Sequence, residues 1–212
     1  MRTIMVLNPK GGSGKSTIST NLAAYYASQN ANVVLADLDP QQSALAWLEA
    51  RGAGRGLIKG IDASKSGAAR PARNTDVVVM DAPAAVHGKD LTALVRRAET
   101  FIVPVLPSPI DMRAAANFVA ELRKNAKVSK KQAKFAVVAN RVREHTKIYG
   151  ELEAFLKKLK VPVLTHLRDS MNYVRCAERG IGVHELAPYA SAVDREQWKP
   201  IVTWIKSKRS QA

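Results

Sequence analysis

A glycine-rich loop with two lysines, close to the start of the chain, constrains its fold more than any other stretch. The segment 9–17 reads PKGGSGKST, follows an apolar run at 4–7 and precedes a helical pattern at 18–27. Successive glycines let the backbone curl so that its N–H groups point at an anion. The following helix adds the positive end of its dipole. A strand, such a loop and a helix in this order predict a phosphate-binding loop in an α/β protein.

The same loop predicts a nucleoside triphosphate as ligand. In loops of this kind the lysine at the position of Lys15 reaches the β- and γ-phosphates, and the hydroxyl of Ser16 takes a place on Mg²⁺. A chance surface loop of the same composition is the alternative, and the flanking strand and helix argue against it. The predicted phosphate-binding residues are Lys10, Gly11, Gly12, Ser13, Gly14, Lys15, Ser16 and Thr17.

The loop departs from the common G-x-x-x-x-G-K-[ST] pattern, because Pro9 stands where the first glycine is expected. It also carries an early second lysine, Lys10. Two neighbouring ammonium groups repel each other unless additional phosphate charge lies beside them. In these residues the chain resembles the deviant Walker-A ATPases of the ParA/MinD type. The resemblance implies a homodimer in the ATP-bound state, in which Lys10 reaches across to the nucleotide of the other subunit.

Two further predicted strands end in carboxylates. An apolar run at 33–36 is followed by Asp37 and Asp39, and a second run at 77–80 is followed by Asp81. Carboxylates at the carboxyl ends of strands, beside a phosphate-binding loop, can hold Mg²⁺ through water or orient a water that attacks the γ-phosphate. For the first pair the alternative is a polar strand end that caps the next helix.

The order and spacing of these carboxylates resemble switch I and the Walker-B segment of the same family. The resemblance implies that Asp39 positions the hydrolytic water and that Lys10 and Lys15 are the other catalytic residues. It also implies that residues 84–86 form the γ-phosphate-sensing switch II. The metal-binding residues that it implies are Ser16, Asp37 and Asp81.

Apolar runs at 101–105, 135–139 and 161–164 predict three more strands. Asn140 follows the second of these runs, and its amide offers both a donor and an acceptor to the edge of adenine. An ordinary turn residue is the alternative. The family's adenine-reading asparagine stands in the same Asn-Arg context, which favours base recognition and ATP as the nucleotide.

The alternation of six apolar strands with helices predicts an α/β fold, a doubly wound and mostly parallel sheet with helices on both faces. The length predicts a single domain over 1–212, and the resemblance implies that it is a ParA-like ATPase domain. The stretch 51–75 is rich in glycine, serine and basic residues, and we expect a loop there with a short strand near 57–61. Its basic residues favour a solvated loop, with a partner surface as the alternative.

The excess of positive charge predicts a polyanionic partner. The chain has 33 Lys and Arg residues against 18 Asp and Glu residues, a net charge of +15. Such an excess attracts nucleic acid or, less often, an anionic membrane, and a generally basic surface is the alternative. The chain shows no signal peptide or apolar span, and Cys176 is its single cysteine. We expect a cytoplasmic, nucleoid-associated protein without internal disulfides.

The resemblance implies an ATPase switch. An ATP-bound dimer would bind non-specific DNA and position a cargo such as a plasmid, chromosome, chemoreceptor cluster or protein microcompartment. Slow hydrolysis, stimulated by an adaptor protein, would release it. The DNA-binding residues predicted on this basis are Arg168, Arg175, Arg179 and Lys206.

Two other functions remain open at this stage. One is a MinD-like regulator bound to membranes through its last helix, and the other is a metabolic P-loop enzyme. The segment 191–209 has an apolar stripe followed by Lys and Arg residues. That pattern favours a core helix with a cationic last turn over a membrane anchor.

Overall fold

A computed structural model of the protein describes residues 1–65 and 67–211. Ser66, within the predicted loop at 51–75, and Ala212 lie outside the described residues. Seven strands form one sheet with the order β3-β2-β4-β1-β5-β6-β7, in which all neighbours are parallel. The strands are β1 (Arg2–Val6), β2 (Val33–Asp37), β3 (Ile58–Asp62), β4 (Val77–Asp81), β5 (Thr100–Val105), β6 (Lys134–Val142) and β7 (Val163–Arg168).

Helices connect these strands and confirm the predicted α/β class. The α-helices are α1 (Lys15–Ser28), α2 (Ser43–Glu49), α3 (Gly88–Val95), α4 (Pro109–Lys124), α5 (Ala126–Ser129), α6 (Lys147–Lys158), α7 (Met171–Arg179) and α8 (Pro188–Lys206), with 3₁₀ turns at Val183–Glu185 and Lys208–Ser210.

The sheet separates two apolar cores, because successive side chains of a strand point to opposite faces. In β1, Ile4 and Val6 pack on the face covered by α1, α2, α7 and α8. Met5, and Leu7 just after the strand, pack on the opposite face, which α3, α4 and α6 cover. Since both faces are buried, the strands read as continuous apolar runs rather than as alternating ones.

The strand register brings the predicted carboxylates to one edge of the sheet. Val6 lies opposite Asp81, and Asp81 lies opposite Asp37 on the next strand. The phosphate-binding loop leaves β1 at the same edge and leads into α1. We call this the carboxyl edge, and the opposite edge, where the strands begin, the amino edge.

The last helix is a core element. In α8, Trp198 and Ile201 are fully buried, and Trp204 and Ile205 are at most 9% exposed. The predicted apolar stripe therefore docks on the sheet. Among the helices of residues 1–65 and 67–211, none combines the length and the apolar character that crossing a membrane requires.

The stretch at 51–75 contains the expected short strand. This strand is β3, the outermost strand on one side of the sheet. Arg51 is predicted to lie in a solvated loop, but its side chain is buried. Its guanidinium forms a salt bridge of 2.7 Å with Glu185, and both side chains are at most 6% exposed. It also donates to the carbonyl oxygens of Gly56 and Gly180. Arg51 therefore ties this stretch to the 3₁₀ turn that follows α7.

Candidate nucleotide-binding site

The loop between β1 and α1 is closed by hydrogen bonds to its own backbone. The N–H of Lys10 donates to Asn8 Oδ1 at 2.7 Å. The carbonyl oxygen of Lys10 accepts from Lys15 Nζ at 3.1 Å and from Ser13 Oγ at 3.2 Å. These bonds curl the loop around its lysine. The ammonium group of Lys10 itself has no hydrogen bond or ion pair within residues 1–65 and 67–211.

Two glycines of the loop are required by its geometry. Gly12 and Gly14 have φ of +74° and +91°, a region that side chains disfavour. A Cβ atom at Gly14 would also collide with the amide of Asn140. That amide donates to the carbonyl oxygen of Ser13 at 2.8 Å. Asn140 therefore braces the phosphate-binding loop, a contact that the sequence did not reveal, while its role in reading adenine stays a prediction.

Lys15 is held as a buried cation at the bottom of the loop. The residue is only 6% exposed. Burial lowers the pKa of the Lys15 ammonium, and the negative charges of Asp81 and Asp39 act in the opposite direction. The nearby carboxylates therefore offset part of the desolvation cost of the charged ammonium group, which is the form that binds a phosphate.

Asp81 has an oxygen atom without a partner. The residue is fully buried, and its Oδ1 accepts from Ser19 Oγ at 3.2 Å. Its Oδ2 has no hydrogen bond among the described residues. Burial raises the pKa of Asp81 to about 7, the hydroxyls of Ser16 and Ser19 act against this, and the neighbouring Asp37 adds to it. A buried carboxylate oxygen without a donor is costly, and a magnesium-bound water is a ligand that would satisfy it.

Asp37 has its two oxygen atoms engaged at the start of α2. Its Oδ1 accepts from the N–H of Asp39, and its Oδ2 from the N–H groups of Ala44 and Leu45, at 2.8 and 3.2 Å. These are the contacts expected of the helix-capping alternative. Burial raises the pKa of Asp37, and the backbone donors lower it. A magnesium-side role for Asp37 stays a prediction.

Asp39 lies at the rim of the loop and is partly exposed. One of its oxygen atoms, Oδ1, accepts from the N–H of Gln41 at 3.0 Å, which fixes the turn before α2. The residue lines the same pocket as Lys15. This arrangement leaves the carboxylate able to accept a hydrogen bond from a water in the pocket, as the sequence interpretation requires.

The predicted switch II is attached directly to the loop. Ala85 donates its N–H to the carbonyl oxygen of Pro9 at 2.7 Å. Its φ of +58° is uncommon for alanine. A backbone held in such a conformation depends on its surroundings, so the position of switch II and the shape of the loop are coupled.

One pocket of about 600 Å³ unites most of the predicted residues with some that the sequence did not suggest. Its phosphate end is formed by the loop and its other end by α7. The α7 residues missed from the sequence are Tyr173, Val174 and Ala177. The hydroxyl of Tyr173 accepts from Trp198 Nε1 at 3.0 Å, which anchors α7 on the core. An amphipathic pattern in α7 could indicate only that one side is buried.

The four predicted DNA-binding residues do not form one surface of free cations. Arg168 lines the pocket, and its guanidinium holds the fully buried Asp194 at 2.7 and 3.0 Å. Lys206 donates to the hydroxyl of Tyr25 at 2.9 Å. Arg175 and Arg179 are exposed on α7. Their contact with DNA stays a prediction.

A curled glycine-rich loop, a buried lysine, a helix N-terminus and strand-end carboxylates define a P-loop nucleotide-binding protein. Comparison with known families gives the particular class. The CobQ/CobB/MinD/ParA nucleotide binding domain matches residues 4–183. The chain belongs to this family, as the resemblance implied.

Individual relatives agree with this assignment. Maintenance of carboxysome distribution protein A of Halothiobacillus neapolitanus is 29% identical over 192 residues, which are 87% of each chain. The chromosome-partitioning ATPase Soj of Thermus thermophilus is 31% identical over 155 residues, 58% of this chain and 61% of its own.

A solved structure supports the fold. McdA from Cyanothece, an Asp→Ala variant in complex with ATP, superimposes with a TM-score of 0.73 at 16% identity. The match covers 95% of this chain and 96% of that one. At this identity the likeness concerns the fold alone.

Proposed function

We propose that this protein is a ParA-like ATPase switch that positions a cargo on non-specific DNA. ATP joins two subunits, the dimer binds DNA, and hydrolysis stimulated by an adaptor protein releases it. In this role the protein acts in the cytoplasm, on the nucleoid. The observation that carries the proposal is the loop itself, in which the Lys10 ammonium has no partner among the described residues while Lys15 is buried and bonded to the loop backbone.

The residues of the carboxyl edge have distinct tasks in this reaction. The loop N–H groups and Lys15 bind the phosphates, and Asp39 accepts a hydrogen bond from the attacking water and orients it. Ser16 and Asp81 are the groups that would hold Mg²⁺, and Asp81 Oδ2, which has no hydrogen bond in the described part of the chain, fits that task. Bound Mg²⁺ supplies positive charge that stabilises the phosphate oxygens during transfer. Asn140 braces the loop through its bond to Ser13, and in this proposal its amide also contacts the adenine base.

The cargo is proposed from the relatives. Two of them are named for the maintenance of carboxysome distribution, and the first aligns over 87% of its own length. A protein microcompartment is therefore the favoured cargo among those considered. The relative named as a chromosome-partitioning ATPase supports a plasmid or chromosome as the second choice.

The decisive experiment measures binding of the purified protein to non-specific duplex DNA with ATP, with ADP and without nucleotide, over a range of salt concentrations. We expect binding that requires ATP and weakens steeply with salt, because phosphate contacts release counterions. Absence of DNA binding in every nucleotide state would overturn the proposal. Binding to anionic vesicles in its place would point to the membrane-associated regulator.

The role of Lys10 is tested by Lys10→Ala. This variant should bind ATP with nearly normal affinity and remain monomeric in sedimentation experiments, whereas the wild type dimerises with ATP. A matched variant, Lys147→Ala, removes an exposed lysine from the start of α6 and should dimerise normally. A dimeric Lys10→Ala protein would exclude the crossing lysine.

A further inference from the structure

Exposed cations gather at the amino edge of the sheet, on the opposite side of the molecule from the nucleotide pocket. They come from three chain segments, namely the end of α3, the connection from α5 to β6, and the 3₁₀ turn after α8. We call this set the amino-end patch. Its members are Arg96, Arg97, Lys130, Lys131, Lys134, Lys208 and Arg209.

Backbone contacts show that these three segments lie together. Lys127 Nζ donates to the carbonyl oxygens of Val95, Arg96 and Ala98, at 3.4, 3.3 and 2.6 Å, so the chain before Lys130 is fastened to the end of α3. Thr100 at the start of β5 pairs with Lys134 at the start of β6. The hydroxyl of Thr100 also donates to the carbonyl oxygen of Ser210, which brings the 3₁₀ turn alongside.

Among residues 1–65 and 67–211, the cations of the amino-end patch have no carboxylate partners. In the part of the chain that the structure describes, none of their nitrogen atoms lies within 4.0 Å of a carboxylate oxygen. Glu99, whose carbonyl oxygen accepts from the N–H of Lys134, is already paired with Arg2 at 2.8 Å. Six of the seven patch residues are exposed, and Lys134 is half-buried.

An open groove of about 540 Å³ between α3 and α4 extends the patch through Arg96. Lys89 and Lys124 line it as well, and its single lining carboxylate, Glu121, is engaged by the N–H of Gly88 at 2.6 Å and by His87 at 3.2 Å. The groove therefore adds further cations and little free negative charge.

We propose that the amino-end patch binds the phosphate backbone of duplex DNA. Lys and Arg side chains without partners supply the sequence-independent contacts that dominate such binding. Helix dipoles explain part of the charge, since α3 and α4 end at this edge and Lys130 is the C-cap of the short helix α5, but Lys131, Lys134 and Arg209 do not stand at the end of an α-helix. The segments 96–97, 130–134 and 208–209 expose no large apolar side chain. Met1, Leu57 and Val163 are exposed at the same edge, but they stand at the starts of β1, β3 and β7, which are not neighbours in the sheet, so they do not form the contiguous apolar centre of a protein interface.

The location of the patch gives the nucleotide a way to control binding, and this step rests on the proposed function. If two subunits meet across their carboxyl edges, their amino-end patches face away from each other. The ATP-bound dimer then carries two separate DNA-binding surfaces, while a monomer carries one. Two linked surfaces bind a dense DNA array far more tightly than one, without any new contact. ATP dependence follows from this avidity, with no change in the patch itself.

The test compares DNA binding of three variants with that of the full-length wild type in the presence of ATP. The patch variant combines Arg97→Gln, Lys130→Gln and Lys208→Gln. The control variant removes the same charge elsewhere through Lys65→Gln, Lys147→Gln and Lys199→Gln. The third variant keeps the patch charge through Arg97→Lys, Lys130→Arg and Lys208→Arg, and shows whether side-chain exchange itself disturbs the protein.

We expect the slope of log affinity against log salt to become shallower by about 0.9 for each lost phosphate contact, so by up to about 3 for the patch variant. The other two variants should keep the wild-type slope, and all should bind and hydrolyse ATP alike. A patch variant with the wild-type slope, or one that loses binding to phosphatidylglycerol vesicles alone, overturns this inference and leaves the ATPase switch intact. A wild type that does not bind DNA overturns both.

Discussion

The carboxyl edge and the amino edge of the sheet are both rich in cations, but the two edges differ in how many of these cations form ion pairs. At the carboxyl edge Arg143 and Arg141 share Asp169, at 2.9 and 3.5 Å, and Arg168 holds Asp194 at 2.7 Å. At the amino edge the amino-end patch has no ion pair among the described residues.

For Arg168 the difference follows from the cost of burying charge, because its partner Asp194 is fully buried. Arg141 and Arg143 are exposed, so their pairing with Asp169 does not follow from burial. The carboxyl edge must hold a triphosphate in one geometry, so Lys15, Asp37 and Asp81 lie in the interior, where an unpaired charge is expensive. Exposed ammonium and guanidinium groups at the amino edge pay little for solvation and need no partner. Burial of its charged groups thus distinguishes a site that positions a ligand from a surface that only attracts one.

The largest expected effect concerns Asp39 at the carboxyl edge. Asp39→Ala should lower the rate of ATP hydrolysis by about 10²–10⁴-fold, because the attacking water loses its orienting base. ATP affinity should stay close to normal. Phosphate release at saturating ATP measures the first quantity, and nucleotide titration the second. Asp76→Ala, at the amino edge, is the matched control and should hydrolyse normally. Wild-type turnover in Asp39→Ala would remove this residue from the mechanism.

The next largest effect concerns the free energy of unfolding, for which we compare one arginine from each edge. Arg168→Met leaves the carboxylate of Asp194, which is fully buried, with only the amide of Asn172 at 2.7 Å. Breaking a buried pair in this way costs about 3–5 kcal/mol of unfolding free energy. Arg97→Met, in the amino-end patch, should change it by no more than about 0.5 kcal/mol. Urea denaturation measures both, and equal effects would contradict the distinction between the edges.

A smaller effect concerns ATP affinity, for which we compare one lysine from each edge. Lys15→Ala should weaken ATP binding by about 2–4 kcal/mol, because a desolvated contact between a cation and a phosphate is lost. Lys130→Ala should leave ATP affinity unchanged, since this residue lies at the amino edge. Titration calorimetry with ATP and Mg²⁺ gives both values. Normal affinity in Lys15→Ala would refute the assignment of the phosphate-binding loop.

The smallest effect concerns a group that belongs to neither edge. Burial, followed by the positive charge of Arg195, lowers the pKa of His184 to about 4. In the unfolded chain a histidine binds its proton near pH 6.5. As the pH falls, the unfolded state therefore takes up this proton first. The stability contributed by neutral His184 is complete above about pH 6.5 and is lost between about pH 6.5 and pH 4.

His184→Phe should remove this acid-induced loss of stability, which we expect to be about 1–2 kcal/mol after allowance for solvent screening. The phenyl ring can keep the edge contacts that His184 makes with Tyr25 and Trp198. Unfolding free energies from pH 7 to pH 4 give the result, with the exposed His145→Asn as control. Parallel pH profiles for His184→Phe and the wild type would show that another group is responsible.

The sequence predicted the features that depend on local pattern. The helical pattern at 18–27 lies within α1, and the apolar run at 77–80 lies within β4, which ends at Asp81. Ser108, just before Pro109, caps α4 by accepting from the N–H of Asp111. These features depend on neighbouring residues along the chain. They are readable because the chemistry of a turn or a helix end is decided within a few positions.

Contacts between distant segments were not readable. The bond from Asn140 to the loop joins residues that are 127 positions apart, and the ion pair between Arg51 and Glu185 spans 134. Nothing in the residues near Arg51 distinguishes it from its solvated neighbours. The α7 lining of the pocket escaped detection for the same reason.

The sequence by itself therefore determined the class of fold, the phosphate-binding loop and the carboxylates that accompany it. It also established the total charge of +15. Only the tertiary structure decided where that charge is paired and where it is free. The physical reason is that pairing depends on which side chains meet in space, and their meeting is set by the order of the strands and the packing of the helices. Composition records how many charges exist, and the fold decides which of them remain available to a partner.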